Sequence, residues 1–134
     1  MAADAAWRTT GKLGVTVATS GPGATNLITG IGDCFFDSIP AIFITGQVNT
    51  FELKEERGIR QLGFQETNIV DMVKPITKMA IQVKENDDIV QILYELYSIA
   101  ISGRPGPVLL DIPKIFQRLR INSSFRRTTK EIVK

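Results

Sequence analysis

The sequence predicts an α/β fold, a doubly wound parallel sheet with helices on both faces, in a single domain. Short β-branched or apolar runs alternate along the chain with amphipathic stretches at helical spacing. The run at residues 41–45 is continuously apolar, and runs that are apolar on both faces are typical of parallel strands covered by helices. A length of 134 residues is enough to bury one core.

The first half of the chain predicts two helices, two strands and a long loop. In chain order these are a helix end at 1–8, a strand at 13–18, a helix at 24–36, a strand at 41–45 and a polar loop at 47–63. Gly11 ends the first helix, and Pro40 cannot continue the second. Compact domains rarely carry loops as long as the last segment, so we expect it to have a function.

The second half predicts the same alternation. In chain order the elements are a short helix at 66–73, a strand at 76–83, a helix at 87–101 and a strand at 108–112. The helix at 87–101 has the clearest amphipathic pattern, and Asp87 and Asp88 supply its cap and first-turn charge. We place the domain at residues 1–116 and interpret residues 117–134, which are rich in Arg and Lys, as a basic tail or linker.

Composition excludes several classes of function. A net charge of +2 gives no reason to expect nucleic acid as a partner, and the absence of histidine removes His-based triads and His metal sites. The single cysteine, Cys34, lies in an apolar helical stripe, which favours a packed core thiol over a nucleophile. No apolar run reaches membrane-spanning length and no signal-peptide pattern begins the chain, so we expect a cytoplasmic protein without a membrane partner.

The loop at 18–26 is the strongest candidate for a ligand site. It follows a strand and precedes a helix, where free N–H groups and the positive helix end face a ligand. Gly21 and Gly23 let a ligand approach the backbone, and Pro22 stiffens the turn. The spacing matches neither the P-loop nor the dinucleotide fingerprint, and an ordinary glycine-rich turn remains an alternative. These residues alone do not identify the ligand.

Five stretches in family order carry a resemblance to a known family. They are Ala18-Thr-Ser-Gly-Pro-Gly-Ala-Thr-Asn26, Asp37-Ser-Ile-Pro40 with Thr45-Gly-Gln-Val48, Gly63-Phe-Gln-Glu-Thr67, Val73-Lys-Pro-Ile-Thr-Lys78 and Ser102-Gly-Arg-Pro-Gly-Pro-Val-Leu-Leu-Asp-Ile-Pro113. Together they resemble the pyrimidine-binding domain of thiamine-diphosphate-dependent enzymes, most closely the acetolactate synthase-like group.

The resemblance implies a transferase or lyase that decarboxylates a 2-oxo acid such as pyruvate and joins the product to a second carbonyl compound. It implies thiamine diphosphate as cofactor, with Mg²⁺ and the diphosphate held by a later domain, and an active site shared between subunits of a homo-oligomer. FAD is a further cofactor in some members of this group.

The resemblance also implies roles for individual residues. Gly21, Pro22, Gly23 and Asn26 match the loop that contacts the cofactor. Phe64 and Gln65 match an aromatic and an amide beside the reacting centre, with a core aromatic as the alternative for Phe64.

Four further residues in the matching stretches have weaker or structural assignments. Arg104 matches an arginine that touches FAD in flavin-containing members, and a solvated turn residue is the alternative. We expect Glu66 at a helix start, and Asp111 and Lys78 as sheet-end and surface residues.

The chain also departs from the family pattern. It has no counterpart of the family's catalytic glutamate stretch, which resembles His-Glu-Gln-Gly-Ala, nor of the domain's first strand and helix or the Mg²⁺-binding segment. We therefore expect an inactive fragment of a larger enzyme, without metal ligands of its own, whose uncovered sheet edge promotes self-association. The loop at 49–62 is longer than in plain acetolactate synthases.

Two other functions stay open on the sequence alone. One is a non-catalytic remnant of this domain that binds a partner subunit. The other is an unrelated α/β protein that binds a nucleotide or phosphate at the glycine-rich loop.

Overall fold

A computed structural model describes residues 1–118, with five helices and four strands among them. The helices are α1 (Ala2–Thr10), α2 (Pro22–Thr25), α3 (Ile28–Phe36), α4 (Ile69–Val73) and α5 (Ile89–Ile101). The strands are β1 (Gly14–Ala18), β2 (Ala41–Gln47), β3 (Met79–Gln82) and β4 (Pro107–Pro113). Short 3₁₀ helices occupy Thr50–Glu52, Lys74–Ile76 and Phe116–Arg118. The predicted basic tail at 117–134 lies almost entirely outside the described residues.

The four strands form one parallel sheet in the order β1-β2-β4-β3, which confirms the predicted α/β class. Helices α1, α3 and α4 pack on one face of the sheet, and α5 packs on the other. The connections from β1 to β2 and from β2 to β3 cross the first face of the sheet. The connection from β3 to β4 runs in the opposite direction and crosses the second face. The nearly invariant hand of β-α-β crossovers requires this arrangement.

Two apolar clusters, one on each face, hold the sheet between its helices. On the first face, Phe43 and Leu109 pack against Ile31 of α3 and Ile69 of α4. Cys34 is buried in this cluster, and burial raises the pKa of its thiol to about 11, as expected for a packed core thiol. On the second face, α5 covers the apolar residues of β2 and β4 with Leu96.

The predicted elements are present; most bounds differ by one or two residues, and the larger differences are at three places. The helix predicted at 24–36 divides into α2 and α3, because Leu27 N donates to Ala24 O at 3.0 Å and so makes a tighter turn than an α-helix. The helix predicted at 66–73 begins at Ile69, where Asn68 caps it. The strand predicted at 76–83 is shortened by the 3₁₀ turn at Lys74–Ile76.

Strand β1 lies at one edge of the sheet, and no other described strand pairs with its outer side. Its first face is covered by α1, so closely that a Cβ on Gly14 would lie 2.5 Å from the Cα of Ala3. Its second face carries Val15 and Val17, which are 57% and 72% exposed. The uncovered sheet edge expected from the sequence is therefore present among the described strands. No described helix has the length and apolar character that crossing a membrane requires.

Candidate functional site

An open cleft of about 820 Å³ lies at the carboxyl edge of the sheet. Its walls are the end of β1 with the residues that follow, the ends of β2 and β4, and the pair Phe64 and Gln65. The volume lies within the range of about 300–1,000 Å³ that is typical of small-molecule and cofactor sites. The position at the carboxyl ends of parallel strands is also where open α/β sheets bind ligands.

Gly21 lies directly against Gln65 beside this cleft, although Gly21 is not itself a lining residue. The backbone of Gly21 has φ 62° and ψ −131°, a conformation that is essentially restricted to glycine. A Cβ placed on it would lie 2.6 Å from the Cβ of Gln65. The glycine-rich turn and the Gln65 loop, 44 positions apart in the sequence, thus meet at one edge of the sheet.

Phe64 extends into solvent beside the cleft and is 81% exposed. The alternative of a core aromatic is therefore excluded in this structure. Pro22 and Asn26 are exposed on and next to α2, outside the cleft lining, and a Cβ on Gly23 would lie 2.6 Å from Cγ2 of Thr19.

Arg104 lies at the opposite, amino edge of the sheet. It precedes β4, and its guanidinium donates to Ser38 Oγ at 2.7 Å and to Phe36 O at 3.2 Å, at the end of α3. The seven residues of β4 span about 20 Å between that edge and the cleft. The structure therefore separates Arg104 from Gly21, Phe64 and Gln65.

Two charged side chains line the cleft within the described residues, Glu52 and Lys114. Glu52 accepts hydrogen bonds from the backbone N of Asn49 at 3.0 Å and from its Nδ2 at 2.6 Å. These bonds, with a smaller contribution from Lys114, lower the pKa of Glu52. Glu52 is therefore an anion at neutral pH and a weak base.

The sequence analysis placed Asp111 at a sheet end, and the structure shows a buried polar cluster around it. Asp111 is fully buried and accepts hydrogen bonds from Thr45, Gln47 and Gln82. Burial raises the pKa of Asp111, and the three hydrogen bonds oppose this effect. The sequence held one signal for this polar cluster. Side chains alternate between the two faces of a strand, so Thr45 and Gln47 lie on the same face of β2.

Glu66 holds the long loop after β2 closed, and it does not stand at a helix start as expected. Its carboxylate accepts from the backbone N of Lys54 at 2.7 Å and from that of Leu62 at 2.8 Å. Both ends of the segment 54–62 are thereby joined. Lys78 is also structural, because its Nζ donates to Ser102 O at 2.6 Å and to Ile99 O at the end of α5.

The cleft suits an organic heterocycle better than a metal ion. Among residues 1–118, no three Cys, Asp or Glu side chains are grouped as metal ligands. The cleft presents an exposed aromatic ring, Phe64, and the amide of Gln65 to a flat ligand. These side chains are of a kind that fits an aminopyrimidine ring.

Comparison with known proteins agrees with this geometry. The family model described as thiamine pyrophosphate enzyme, N-terminal TPP binding domain, matches residues 1–72. Acetolactate synthase 3, chloroplastic, of Brassica napus is 48% identical over 117 residues, which are 87% of this chain and 17% of that protein. The acetolactate synthase of Arthrospira platensis is 48% identical over 113 residues, 84% of this chain and 18% of that protein. The acetolactate synthase large subunit of Lactococcus lactis is 44% identical over 114 residues, 85% of this chain and 19% of that protein. The chain thus spans about one sixth to one fifth of the length of these relatives.

Proposed function

The chain belongs to the thiamine pyrophosphate enzymes, as an acetolactate synthase-like N-terminal TPP-binding domain, and from this premise we propose that its cleft holds the pyrimidine half of thiamine diphosphate. The observation that carries the proposal is the contact between Gly21 and Gln65 at the carboxyl edge of the sheet. This contact joins two of the stretches that resemble the family, and Gln65 forms part of the cleft wall.

The cleft residues have distinct roles in this proposal. Gly21 lets Gln65 approach the glycine-rich turn, and Phe64 offers an aromatic face for stacking. The amide of Gln65 is a hydrogen-bond donor for a substrate carboxylate or oxyanion. When bound, thiamine diphosphate supplies the electron sink for decarboxylation of a 2-oxo acid such as pyruvate. We propose that Pro22, Gly23 and Asn26 contact the cofactor from the exposed side of α2.

Catalysis in this proposal requires groups beyond the described residues. Glu52 is the one carboxylate of the cleft lining there, and its lowered pKa makes it a poor proton acceptor. Mg²⁺ has no ligand group among residues 1–118, so we propose that another part of the enzyme holds it.

Because Arg104 lies at the other edge, any flavin that it contacts occupies a surface separate from the cleft. A homo-oligomer in the cytoplasm remains our expectation, although the Brassica napus relative is named as chloroplastic.

Titration calorimetry with thiamine diphosphate tests the proposal on the 134-residue chain. We expect binding that Phe64→Ala weakens by roughly tenfold, because base–aromatic stacking contributes about 1–3 kcal/mol. Phe36→Ala is the matched control, since Phe36 is 71% exposed at the amino edge and should leave the affinity unchanged.

Two results would contradict the proposal. One is an equal effect of Phe64→Ala and Phe36→Ala on the affinity for thiamine diphosphate. The other is tight binding of FAD or a nucleoside phosphate without binding of thiamine diphosphate, which would favour a nucleotide-binding protein instead.

A further inference from the structure

A fully buried carboxylate joins the carboxyl ends of three strands below the cleft. In the sheet register, Asp111 of β4 lies opposite Thr45 of β2 and Gln82 of β3. Asp111 Oδ1 accepts from Thr45 Oγ1 at 2.6 Å, and Oδ2 accepts from Gln82 Nε2 at 2.8 Å and from Gln47 Nε2 at 3.1 Å. All three donors are neutral. A buried carboxylate held only by neutral donors strongly constrains the orientation of each of them.

The side chain of Gln47 has one compatible orientation in this cluster. Its Nε2 donates both to Asp111 and to the backbone O of Thr67, the latter at 2.6 Å, and its Oε1 accepts from the backbone N of Val48 at 3.0 Å. A flipped amide would place Oε1 against two acceptor oxygens and Nε2 against a donor. Asp111 therefore selects the orientation in which Gln47 binds the chain at Thr67.

The bond to Thr67 continues to the cleft wall. Thr67 Oγ1 donates to the backbone O of Gln65 at 3.2 Å, and Gln65 packs against Gly21. Gln65 itself has φ 60°, a strained value that surrounding contacts must maintain. We propose that Gln47, oriented by the buried carboxylate of Asp111, is a positioning residue that fixes the segment of Phe64 and Gln65 at the cleft. This inference deepens the proposed function and rests on it for the identity of the ligand.

A matched pair of variants separates this role from ordinary stabilisation. Gln47→Met and Gln82→Met each remove one donor from the same oxygen of Asp111 and keep the length of the side chain. Gln47 also donates to the backbone O of Thr67 in the loop, whereas the amide of Gln82 donates to Asp111.

We expect hydrogen exchange of the backbone amides at 63–68 to rise roughly tenfold in Gln47→Met and less than twofold in Gln82→Met. Thiamine diphosphate affinity, measured by calorimetry, should fall roughly tenfold in Gln47→Met only. If Gln47→Met does not fold, Gln47→Asn should change exchange in the same direction, because its shorter amide cannot span both Asp111 and Thr67.

A conservative change at Asp111 gives an independent readout. Asp111→Asn keeps an oxygen for the two glutamines, and its amide can donate to Thr45 Oγ1, so loop exchange should stay within twofold of the wild type. Equal exchange in Gln47→Met and Gln82→Met, or unchanged exchange in Gln47→Met, would overturn the inference. If the wild type does not bind thiamine diphosphate, the proposed function fails, while the exchange comparison still decides the role of Gln47.

Discussion

Glycine is required at position 21 for two independent reasons, its backbone conformation and its contact with Gln65. Gly21→Ala would add strain of about 1–3 kcal/mol at this φ and ψ, and its Cβ would collide with Gln65. We expect a total loss of roughly 2–6 kcal/mol in the free energy of unfolding, because overpacking adds about 1–3 kcal/mol to the strain. Urea unfolding followed by the fluorescence of Trp7, which packs against the core, measures this loss.

Gly11→Ala is the control for that experiment. Gly11 also has a positive φ, 66°, but no atom lies within 4 Å of the position that a Cβ would take. Its loss should be about 1–2 kcal/mol, the cost of the left-handed conformation alone. Equal losses in the two variants would mean that the contact with Gln65 does not constrain position 21.

The buried carboxylate of Asp111 predicts a pH dependence of stability. Its pKa is raised above the ordinary 3.8 in the folded protein, mainly by burial, so the folded state binds the proton more tightly than the unfolded state. Its contribution to stability is therefore present below pH 3.8 and is lost as the pH rises through the folded pKa. The amide in Asp111→Asn does not ionise, so this variant does not lose stability over that pH range. We expect the melting temperature of Asp111→Asn, minus that of the wild type, to be higher at pH 7 than at pH 4.

Glu85→Gln is the control for the pH measurement, since Glu85 is exposed on the loop after β3. Its difference from the wild type should be the same at both pH values. A difference for Asp111→Asn that is also independent of pH would show that folding does not change the proton affinity of Asp111.

At the scale of elements, the sequence predicts the four strands and the helices except for the break between α2 and α3, because these elements follow from local periodicity and from Gly and Pro residues at their ends. The contact of Gly21 with Gln65 and the cluster at Asp111 depend instead on the register of strands far apart in the chain. Local patterns do not encode that register. The position of Arg104, in contrast, could have been predicted from the sequence. A residue that precedes a parallel strand lies at the amino edge of the sheet, whereas the glycine-rich loop follows its strand and lies at the carboxyl edge.

The loop at 54–62 is an element whose closure depends on Glu66. Its carboxylate accepts two backbone N–H groups, and bonds to a charged group contribute about 1.5–3 kcal/mol each. Glu66→Gln would put an amide donor against one of these N–H groups. We expect trypsin to cleave after Arg57 and Arg60 roughly tenfold faster in this variant, because cleavage requires local opening. Mass spectrometry of the fragments over time gives the rates.

Glu85→Gln again serves as the control, since it removes the same charge without touching the loop. Its cleavage rate after Arg57 and Arg60 should match that of the wild type. If Glu66→Gln also matches the wild type, bonds other than those of Glu66 keep the loop closed.

At the scale of the whole molecule, the edge of β1 with which no other described strand pairs is the feature that most affects behaviour in solution. Unpaired N–H and C=O groups on an edge strand invite pairing with another chain, and apolar residues beside them strengthen it. Val15 and Val17 form such an apolar surface beside this edge. We expect the chain to self-associate as its concentration rises, with a light-scattering mass above the 14.8 kDa of one chain.

Val15→Lys tests this expectation, because a charged side chain beside an edge strand opposes pairing. Val15 does not line the cleft, so thiamine diphosphate affinity should not change, while the mass should stay near 14.8 kDa at higher concentrations than for the wild type. Met72→Lys is the control, since Met72 is an exposed apolar residue of α4, away from the edge. If the two variants reduce association equally, net charge rather than the edge of β1 governs it.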